Sequence, residues 1–220
     1  MQFNQAKPSI LSSVAQTVAR HLLDVQAVRL RPSAPFTWSS GWKSPIYCDN
    51  RVTLAYPAVR TYIKQALADV VRQQFPEAQV MAGVATAGIP QGALVADELG
   101  LPYCYVRPEP KKHGMGNQIE GQLAPAQKVV VVEDLISTGG SSLKVVDALR
   151  QAGAEVIGMI AIFTYGFVTA DENFERAGVK LVCLSEYDQL VQEAQALAYI
   201  PADALESLAE WRKNPADWGN

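Results

Sequence analysis

Cysteine, long apolar runs and a surplus of charge are what this sequence has least of. Its 220 residues include three cysteines, widely spaced and without a CxxC pair, so buried thiols in a reducing compartment are expected rather than a disulfide framework or a zinc site. No apolar run approaches membrane-spanning length, and the first residues lack the pattern of a signal peptide. The net charge of −3 does not suit a nucleic-acid or anionic-membrane surface. We therefore expect a cytoplasmic protein that binds neither nucleic acid nor membrane.

The periodicity of the apolar residues predicts an α/β protein. Apolar residues at helical spacing predict helices over residues 10–23 and 57–75, and the aromatic stretch 36–51 between them is typical of a hairpin or loop. Strands and helices then alternate, with strands predicted at residues 80–85, 103–107, 129–132, 156–163 and 179–184, helices at residues 90–99 and 142–152, and two helices at the end of the chain. This alternation predicts a parallel sheet with helices on both faces.

The stretch VVVVEDLISTGGSS, residues 129–142, places two acids and a run of small polar residues after four valines. Ligands bind at the carboxyl ends of the strands of a parallel sheet. The N–H groups of a glycine-rich loop, with the N-terminus of a helix that begins near Ser141 or Ser142, can bind a phosphate. Because Glu133 and Asp134 would repel a phosphate, they suit sugar hydroxyls or a metal. The pattern indicates a pocket for a ribose 5-phosphate.

Other interpretations of this stretch are weaker. A lone acidic pair would usually be surface charge beside a helix cap, but the whole series at a strand–loop–helix junction favours a site. No Gly-Lys-Ser/Thr follows at the spacing of a nucleoside-triphosphate P-loop. The glycines at positions 114, 116 and 121 do not have the dinucleotide-binding spacing.

VVVVEDLISTGGSS resembles the phosphoribosyl pyrophosphate (PRPP) motif of type I phosphoribosyltransferases, in which hydrophobic residues precede two acids and a small-residue loop. The resemblance implies that the two acids hold the ribose 2- and 3-hydroxyls and that residues 137–141 surround the 5-phosphate. The PRPP-binding residues that it implies in this motif are Glu133, Asp134, Leu135, Ile136, Ser137, Thr138, Gly139, Gly140 and Ser141.

The segment RPEPKKHGMGNQIEG, residues 107–121, is basic and interrupted by proline and glycine, which predicts a mobile loop. Taken alone it could equally be a solvated basic loop, but departing pyrophosphate needs cations and a lid that excludes water. It is similar to the catalytic loop of orotate phosphoribosyltransferases, whose Arg, Lys and His have the spacing of Arg107, Lys111 and His113. The resemblance implies that these three residues are catalytic and contact PRPP, with Lys111 stabilising charge on the leaving pyrophosphate.

Two further stretches agree with this family. FTWSSGWKSPIYCDNR, residues 36–51, resembles the segment that the family places against the base, and residues 83–107 resemble its pyrophosphate loop with the flanking strand and helix. Orotate binding is assigned on this resemblance to Lys43, Tyr47 and Ser137.

The resemblance implies a Rossmann-like parallel-sheet phosphoribosyltransferase core with helices on both faces and a small N-terminal hood. We expect one domain over residues 1–220. About residues 1–55 would contribute the N-terminal helix and hood, residues 56–185 the core, and C-terminal helices the remainder to residue 220.

The implied reaction joins orotate and PRPP to give orotidine 5′-monophosphate and diphosphate, in de novo pyrimidine (UMP) biosynthesis. Mg²⁺ is the implied cofactor, held mostly by substrate and water, so that no metal ligand is assigned to the chain. In the family the catalytic loop reaches the neighbouring subunit's site, which implies a homodimer with shared active sites.

Several positions depart from the family pattern. Many members have Lys where this chain has Ser39, Ala87 and Pro108, and many have an Arg for the orotate carboxylate near Tyr165 or Gly166. Lys43 is a candidate for the missing positive charge, although an ordinary exposed loop lysine has the same sequence signature.

Two alternative functions are weighed against this one. The first is a type I phosphoribosyltransferase for another base, against which the stretch SGWKSPIY and the lysine-rich loop speak. The second is a non-catalytic regulatory protein that senses PRPP. The retained Lys111 and His113 favour catalysis, and the acidic net charge disfavours a DNA-binding regulator.

Overall fold

The computed structural model describes residues 9–38, 41–109 and 118–218, with side chains from residue 13 onward. The helices in this part of the chain are α1 Ser9–Asp24, α2 Pro57–Gln74, α3 Gly88–Leu99, α4 Gly140–Gln151, α5 Val168–Ala177, α6 Tyr187–Ala196 and α7 Ala204–Lys213, with a 3₁₀ helix at Asn50–Ala55. The strands are β1 Val28–Leu30, β2 Phe36–Thr37, β3 Lys43–Ser44, β4 Ile46–Cys48, β5 Val80–Val84, β6 Tyr103–Val106, β7 Ile119–Glu120, β8 Lys128–Ile136, β9 Glu155–Thr164 and β10 Leu181–Glu186.

A six-stranded sheet of order β10–β9–β8–β5–β6–β7 forms the centre of the molecule. All neighbouring pairs are parallel except β6 with β7. The predicted α/β architecture with a mostly parallel sheet is therefore confirmed. The antiparallel edge strand β7 was not predicted, because two residues are too few to leave an alternating pattern in the sequence.

The valines of β8 explain why the sheet is covered on both faces. Val130 and Val132 pack in a core with α1, α2 and α6, whereas Val129 and Val131 pack in a second core with α4 and α5. All four side chains are completely buried. Successive side chains of a strand point to opposite faces, so four consecutive valines require a layer of helices on each side. Each buried valine stabilises the fold by roughly 1.5–3 kcal/mol.

Helix α2 shows how a single stripe of apolar residues fixes a helix on this sheet. Its buried positions include Val59, Ile63, Leu67, Val70 and Val71, at intervals of three and four residues. The helix begins at Pro57, where the absent N–H of proline would have had no intrahelical partner. It packs in the same core as Val130 and Val132.

Two further features of the fold differ from the sequence prediction. Helix α5 lies between β9 and β10, where no helix was predicted, because it is a mostly polar helix with two buried residues, Ala170 and Phe174. Strand β8 does not end at Val132 but continues to Ile136, so Glu133 and Asp134 lie within the strand. The pairing of β8 with β9 continues to Ile136 and Thr164, which keeps the backbone of both acids within the strand.

The N-terminal strands form two small antiparallel pairs outside the central sheet, β1 with β4 and β2 with β3. Val28, Leu30 and Ile46 of these strands are buried in the core that also holds α1, α2 and α7. Across residues 9–38, 41–109 and 118–218, no helix has the length and apolar character that crossing a bilayer requires.

Candidate active site

The strand order reverses direction between β5 and β8, which places the loops after these two strands side by side. Chain order runs outward from β5 through β6 on one side and from β8 through β9 on the other. Such a switch point is where open α/β sheets bind ligands. Gly88, at the start of α3, brings the two loops together, because a Cβ there would lie 2.5 Å from the carbonyl oxygen of Val132. Only glycine allows this approach.

Glu133 is turned into the protein. Its side chain is buried, one carboxylate oxygen accepts from the Ser142 hydroxyl at 2.9 Å, and the other accepts from the backbone N–H of Asp134 at 3.0 Å. Asp134, the next residue, is half-buried and its carboxylate forms no ion pair with Lys or Arg among the described residues. The two side chains nevertheless interact, and this interaction contributes to the pKa of each carboxyl.

The pKa values of both acids are raised. Burial is the largest cause at each carboxyl, and the charge of Asp134 further raises the pKa of Glu133. The hydrogen bond from Ser142 opposes this rise by stabilising the ionised Glu133. Two coupled carboxyls that resist ionisation together are typical of a site rather than of a solvated surface.

The loop from Ser137 to Gly139 joins β8 to the N-terminus of α4. Helix α4 begins at Gly140, one or two residues earlier than predicted, with Gly139 as its N-cap and no side-chain cap. The first N–H groups of a helix have no intrahelical partner, and in α4 they follow directly on the Ser and Thr hydroxyls of the loop. Asn173 of α5 fixes the loop from behind, donating to the carbonyl oxygen of Thr138 at 2.9 Å. This geometry can bind a phosphate.

A buried polar chain ties the N-terminal part of the protein to this loop. Asn50 is completely buried and donates from Nδ2 to the carbonyl oxygen of Asp134 at 2.7 Å. Thr53 donates to the carbonyl oxygen of Asn50 at 2.6 Å, and Gln91 of α3 donates to the Thr53 hydroxyl at 3.4 Å. The residues after the first strands thus hold the backbone of an acid in β8.

An aromatic cleft of about 560 Å³ opens beside the β8–α4 loop. The residues that line this aromatic cleft are Thr37, Trp38, Trp42, Tyr47, Cys48, Leu135, Ser137, Thr138 and Tyr165. Ser137 and Thr138 belong to the loop and also line the cleft, so the two adjoin each other. Cys48 remains a thiol there, because burial and the charges of Asp134 and Asp49 raise its pKa.

The structure brings together some of the residues assigned to orotate from the sequence. Tyr47 and Ser137 line the aromatic cleft. Lys43 is exposed on β3 and donates to the Thr37 hydroxyl at 2.8 Å, at the rim of the cleft. Ile136, assigned to PRPP, is completely buried in the core, so its side chain cannot touch a ligand and only its backbone is available.

Sequence reasoning missed Trp38 and Tyr165 as site residues. Their rings are in contact at a centroid distance of 5.2 Å, tilted by 36° to each other, and both line the aromatic cleft. The two residues are far apart in sequence, so no local pattern joins them. The available signal was the unusual density of aromatics in residues 36–47, a stretch with short strands and little core of its own.

Arg107 follows β6 at the carboxyl edge of the sheet. Its guanidinium lies 3.5 Å from the carboxylate of Glu120, and its backbone N–H donates to the carbonyl oxygen of Gln118 at 2.9 Å. These contacts hold Arg107, which follows β6, against the residues at the start of β7. Lys111 and His113, the other two residues assigned to catalysis, lie outside the described residues.

Comparison with known proteins agrees with this geometry. Residues 53–189 match the family described as "Phosphoribosyl transferase domain". The matched range contains β8 and α4, whereas β2, β3, β4 and α7 lie outside it.

Curated relatives are more specific. The chain is 59% identical over 201 residues to an orotate phosphoribosyltransferase of Cytophaga hutchinsonii, covering 91% of this chain and 96% of the relative. It is 55% identical over 209 residues to one of Porphyromonas gingivalis, covering 95% of this chain and all of the relative. The crystal structure of an orotate phosphoribosyltransferase from Aeropyrum pernix superposes with a TM-score of 0.73 at 33% identity, covering 84% of this chain and 99% of that one. The chain thus belongs to the phosphoribosyl transferase family and, within it, to the orotate phosphoribosyltransferases.

Proposed function

We propose that this chain transfers the 5-phosphoribosyl group of PRPP to N1 of orotate, giving orotidine 5′-monophosphate and diphosphate in UMP biosynthesis. One observation carries the proposal. Ser137 and Thr138 belong both to the phosphate-type loop after β8 and to the aromatic cleft, so the sugar end and the base end of one nucleotide have adjoining places. The relatives that bear the name of this enzyme match nearly the whole chain.

At the PRPP end, residues 137–141 would surround the 5-phosphate with N–H groups and hydroxyls. Asp134 would accept from the ribose hydroxyls, because its carboxylate is half-buried and forms no salt bridge with Lys or Arg among the described residues. Glu133 would act mainly by orienting, since Ser142 and the backbone already occupy both of its oxygens.

At the base end, a planar pyrimidine would lie in the aromatic cleft against Trp38 and Tyr165. Tyr47 and Ser137 would contact the ring, and Lys43 at the rim would supply a positive charge toward an anionic base. Walls of aromatic side chains bind flat rings by apolar and quadrupole contacts.

The leaving diphosphate would be met by Arg107, Lys111 and His113. Arg107 stands at the carboxyl edge of the same sheet, and the other two follow it in the sequence. As N1 of the base approaches the anomeric carbon, charge builds on the diphosphate, and fixed cations stabilise that charge more than the ground state. Lys111 is proposed as the principal cation.

Mg²⁺ is proposed as the cofactor and would neutralise diphosphate charge when bound. Among the described residues no group of three or more His, Cys, Asp or Glu could form a cage for a metal. A single available carboxylate beside hydroxyls fits an ion whose ligands come mostly from substrate and water, as Mg²⁺ prefers. Asp134 would hold it indirectly, through the ribose hydroxyls and water.

A homodimer with shared sites is also proposed, with a direct test. We would mix a Lys111→Ala chain with an Asp134→Asn chain, each inactive alone, and allow subunits to exchange. One site of each heterodimer would then be intact, and random exchange would restore about a quarter of wild-type activity. No recovery after confirmed exchange would show that each site is complete within one chain.

We propose one domain with a hood from about residues 1–55, and a cytoplasmic location. Cys48, Cys104 and Cys183 form no disulfide among the described residues, which is compatible with a reducing compartment.

The function is tested by measuring diphosphate release from PRPP with orotate, uracil, adenine, hypoxanthine or no base. We expect release only with orotate and dependence on Mg²⁺. Release with a purine would assign another base, and binding of PRPP without release under any condition would indicate a sensor.

A further inference from the structure

Arg212 of helix α7 contacts the backbone of one wall of the aromatic cleft. On the basis of the proposed function, we infer that Arg212 is a positioning residue for the base: it holds the Tyr165–Gly166 backbone so that the Tyr165 ring keeps its place in the wall of the cleft that would receive orotate. Arg212 lies outside residues 53–189, which match the family, so this role is not part of that match.

The segment that follows β9 depends on Arg212 for its carbonyl partners. Nε of Arg212 donates to the carbonyl oxygen of Tyr165 at 3.3 Å, and Nη2 donates to that of Gly166 at 3.2 Å. On the other side, Tyr165 N–H donates to the carbonyl oxygen of Ile136 at 3.1 Å. Tyr165 is therefore held between the end of β8 and the last helix.

The remaining donors of Arg212 fix the guanidinium itself. Nη1 donates to both carboxylate oxygens of Asp188 in α6, at 3.0 and 2.9 Å. The side chains of Arg212 and Asp188 are 33% and 53% exposed, so this ion pair adds little to the stability of the fold. Its effect is geometric, because it sets the plane in which the other two N–H groups meet the carbonyls.

The neighbouring Trp211 fixes the ring of the same segment. Trp211 is completely buried, and its ring lies 5.7 Å from those of both Trp38 and Tyr165, edge to face in each pair. Two consecutive residues of α7 thus contact the backbone and the ring of one cleft wall. The wall is positioned by a helix far from it in sequence.

A substitution at Gly166 would also disturb the contact between Arg212 and the Tyr165–Gly166 backbone. Its φ is +65°, a conformation that favours glycine, and a Cβ at this position would lie 2.8 Å from Nη2 of Arg212. Gly166→Ala would therefore strain the turn and displace the guanidinium, although Arg212 itself is not replaced.

The test compares Arg212→Met and Arg212→Lys with a matched control, Arg72→Met. Arg72 also donates to an aspartate, Asp69 at 2.8 Å, and to a backbone carbonyl, that of Glu98 at 3.2 Å, but it lies on α2. In Arg212→Met we expect KM for orotate to rise about tenfold or more, since misplacing a contact wall costs this much, with KM for PRPP within about twofold. Arg212→Lys should not restore it, because one ammonium cannot reproduce the planar fork. Arg72→Met should match the wild type.

A second readout needs no substrate. Amide hydrogen exchange over residues 165–168 should be faster in Arg212→Met and in Gly166→Ala than in the wild type or Arg72→Met. If Arg212→Met does not fold, the same two measurements on Gly166→Ala decide. An unchanged KM for orotate, an equal rise in both KM values, or unchanged exchange would overturn the inference. Failure of the wild type to use orotate would instead refute the proposed function. The hydrogen-exchange result would then still test whether Arg212 holds the Tyr165–Gly166 backbone.

Discussion

The phosphate end of the proposed site and its aromatic end are assembled in different ways. At the phosphate end, the strand, acids, loop and helix N-terminus are contiguous in β8 and α4, and all lie within the region that matches the family. At the aromatic end, Trp38 comes from the N-terminal strands, Tyr165 from the end of β9, and Trp211 and Arg212 from α7. The first end is a local feature of sequence, whereas the second exists only after distant parts of the chain have packed.

This difference has a consequence for how the two ends respond to change. The phosphate end should tolerate alterations elsewhere in the chain, because β8 is paired with a parallel strand on each side. The aromatic cleft depends on side-chain packing between chain ends. We therefore expect mutations to separate PRPP recognition from base recognition, and the following experiments test that separation.

The largest effect should come from Lys111, which is proposed to stabilise charge on the leaving diphosphate. Replacing Lys111 with Ala should lower kcat by roughly 10²–10³, the usual cost of one stabilising contact to transition-state charge, and leave the melting temperature unchanged. Initial rates at saturating substrates measure this, with Lys112→Ala as the adjacent control. Near-normal kcat in Lys111→Ala would remove that lysine from the mechanism.

A second effect should come from Asn50, which lies among the N-terminal elements but contacts the phosphate end of the site. Asn50→Ala removes the donor that satisfies the buried carbonyl oxygen of Asp134. An unsatisfied buried acceptor costs about 1–3 kcal/mol, so we expect a lower melting temperature and a loss of about tenfold in kcat/KM for PRPP. Asn50→Asp keeps the size but loses the same N–H, and should do no better. If kcat/KM for PRPP is unaffected in both variants, Asn50 does not position the acid.

A smaller effect should appear as a pH shift. The Ser142 hydroxyl lowers the pKa of Glu133 against the raising effect of burial. Ser142→Ala should therefore raise that pKa further and move the acid limb of the profile of kcat/KM for PRPP to higher pH, with recovery at alkaline pH. Ser141→Ala, which would lose a phosphate contact instead, should lower kcat/KM without moving the limb. An unmoved limb in Ser142→Ala would mean that Glu133 does not control it.

The smallest effect concerns stability. Since the pKa of Glu133 is raised in the folded state, folding favours its protonated form. Its contribution is fully present below the unfolded pKa and is lost as pH rises through the folded pKa, with a slope of at most about 1.4 kcal/mol per pH unit. Glu133→Gln should flatten this part of the stability curve, as urea unfolding at several pH values would measure. A wild-type slope that persists in Glu133→Gln would assign it to other groups.

The same contrast explains what the sequence could reveal. The strands β5, β6, β8 and β9 follow from apolar runs, and the phosphate-type loop follows from one contiguous motif, because both depend on neighbours in the chain. Trp38, Tyr165 and Arg212 form the cleft wall through contacts across the whole chain, and no local periodicity encodes them. Their partnership becomes visible only in three dimensions.

Errors in the prediction have the same origin. The sequence interpretation ended β8 at the valines because charged residues usually stop a buried strand, yet pairing with β9 carries it through both acids. Helix α5 was missed because Ala170 and Phe174 are its buried residues, too few for a clear helical stripe. The position of Asn50 beneath Asp134 left no sequence signal, since a buried asparagine after a strand looks like an ordinary turn residue.

The separation of the two ends is tested most directly by steady-state kinetics of Trp38→Ala with both substrates varied, after its melting temperature has been checked. The Trp38 ring packs at a tilt against Tyr165 and edge to face against Trp211, whereas it has no part in the loop after β8. We predict that KM for orotate rises about tenfold or more, as expected for loss of a large aromatic contact, while KM for PRPP stays within about twofold. An equal rise in both KM values in a folded protein would contradict the account.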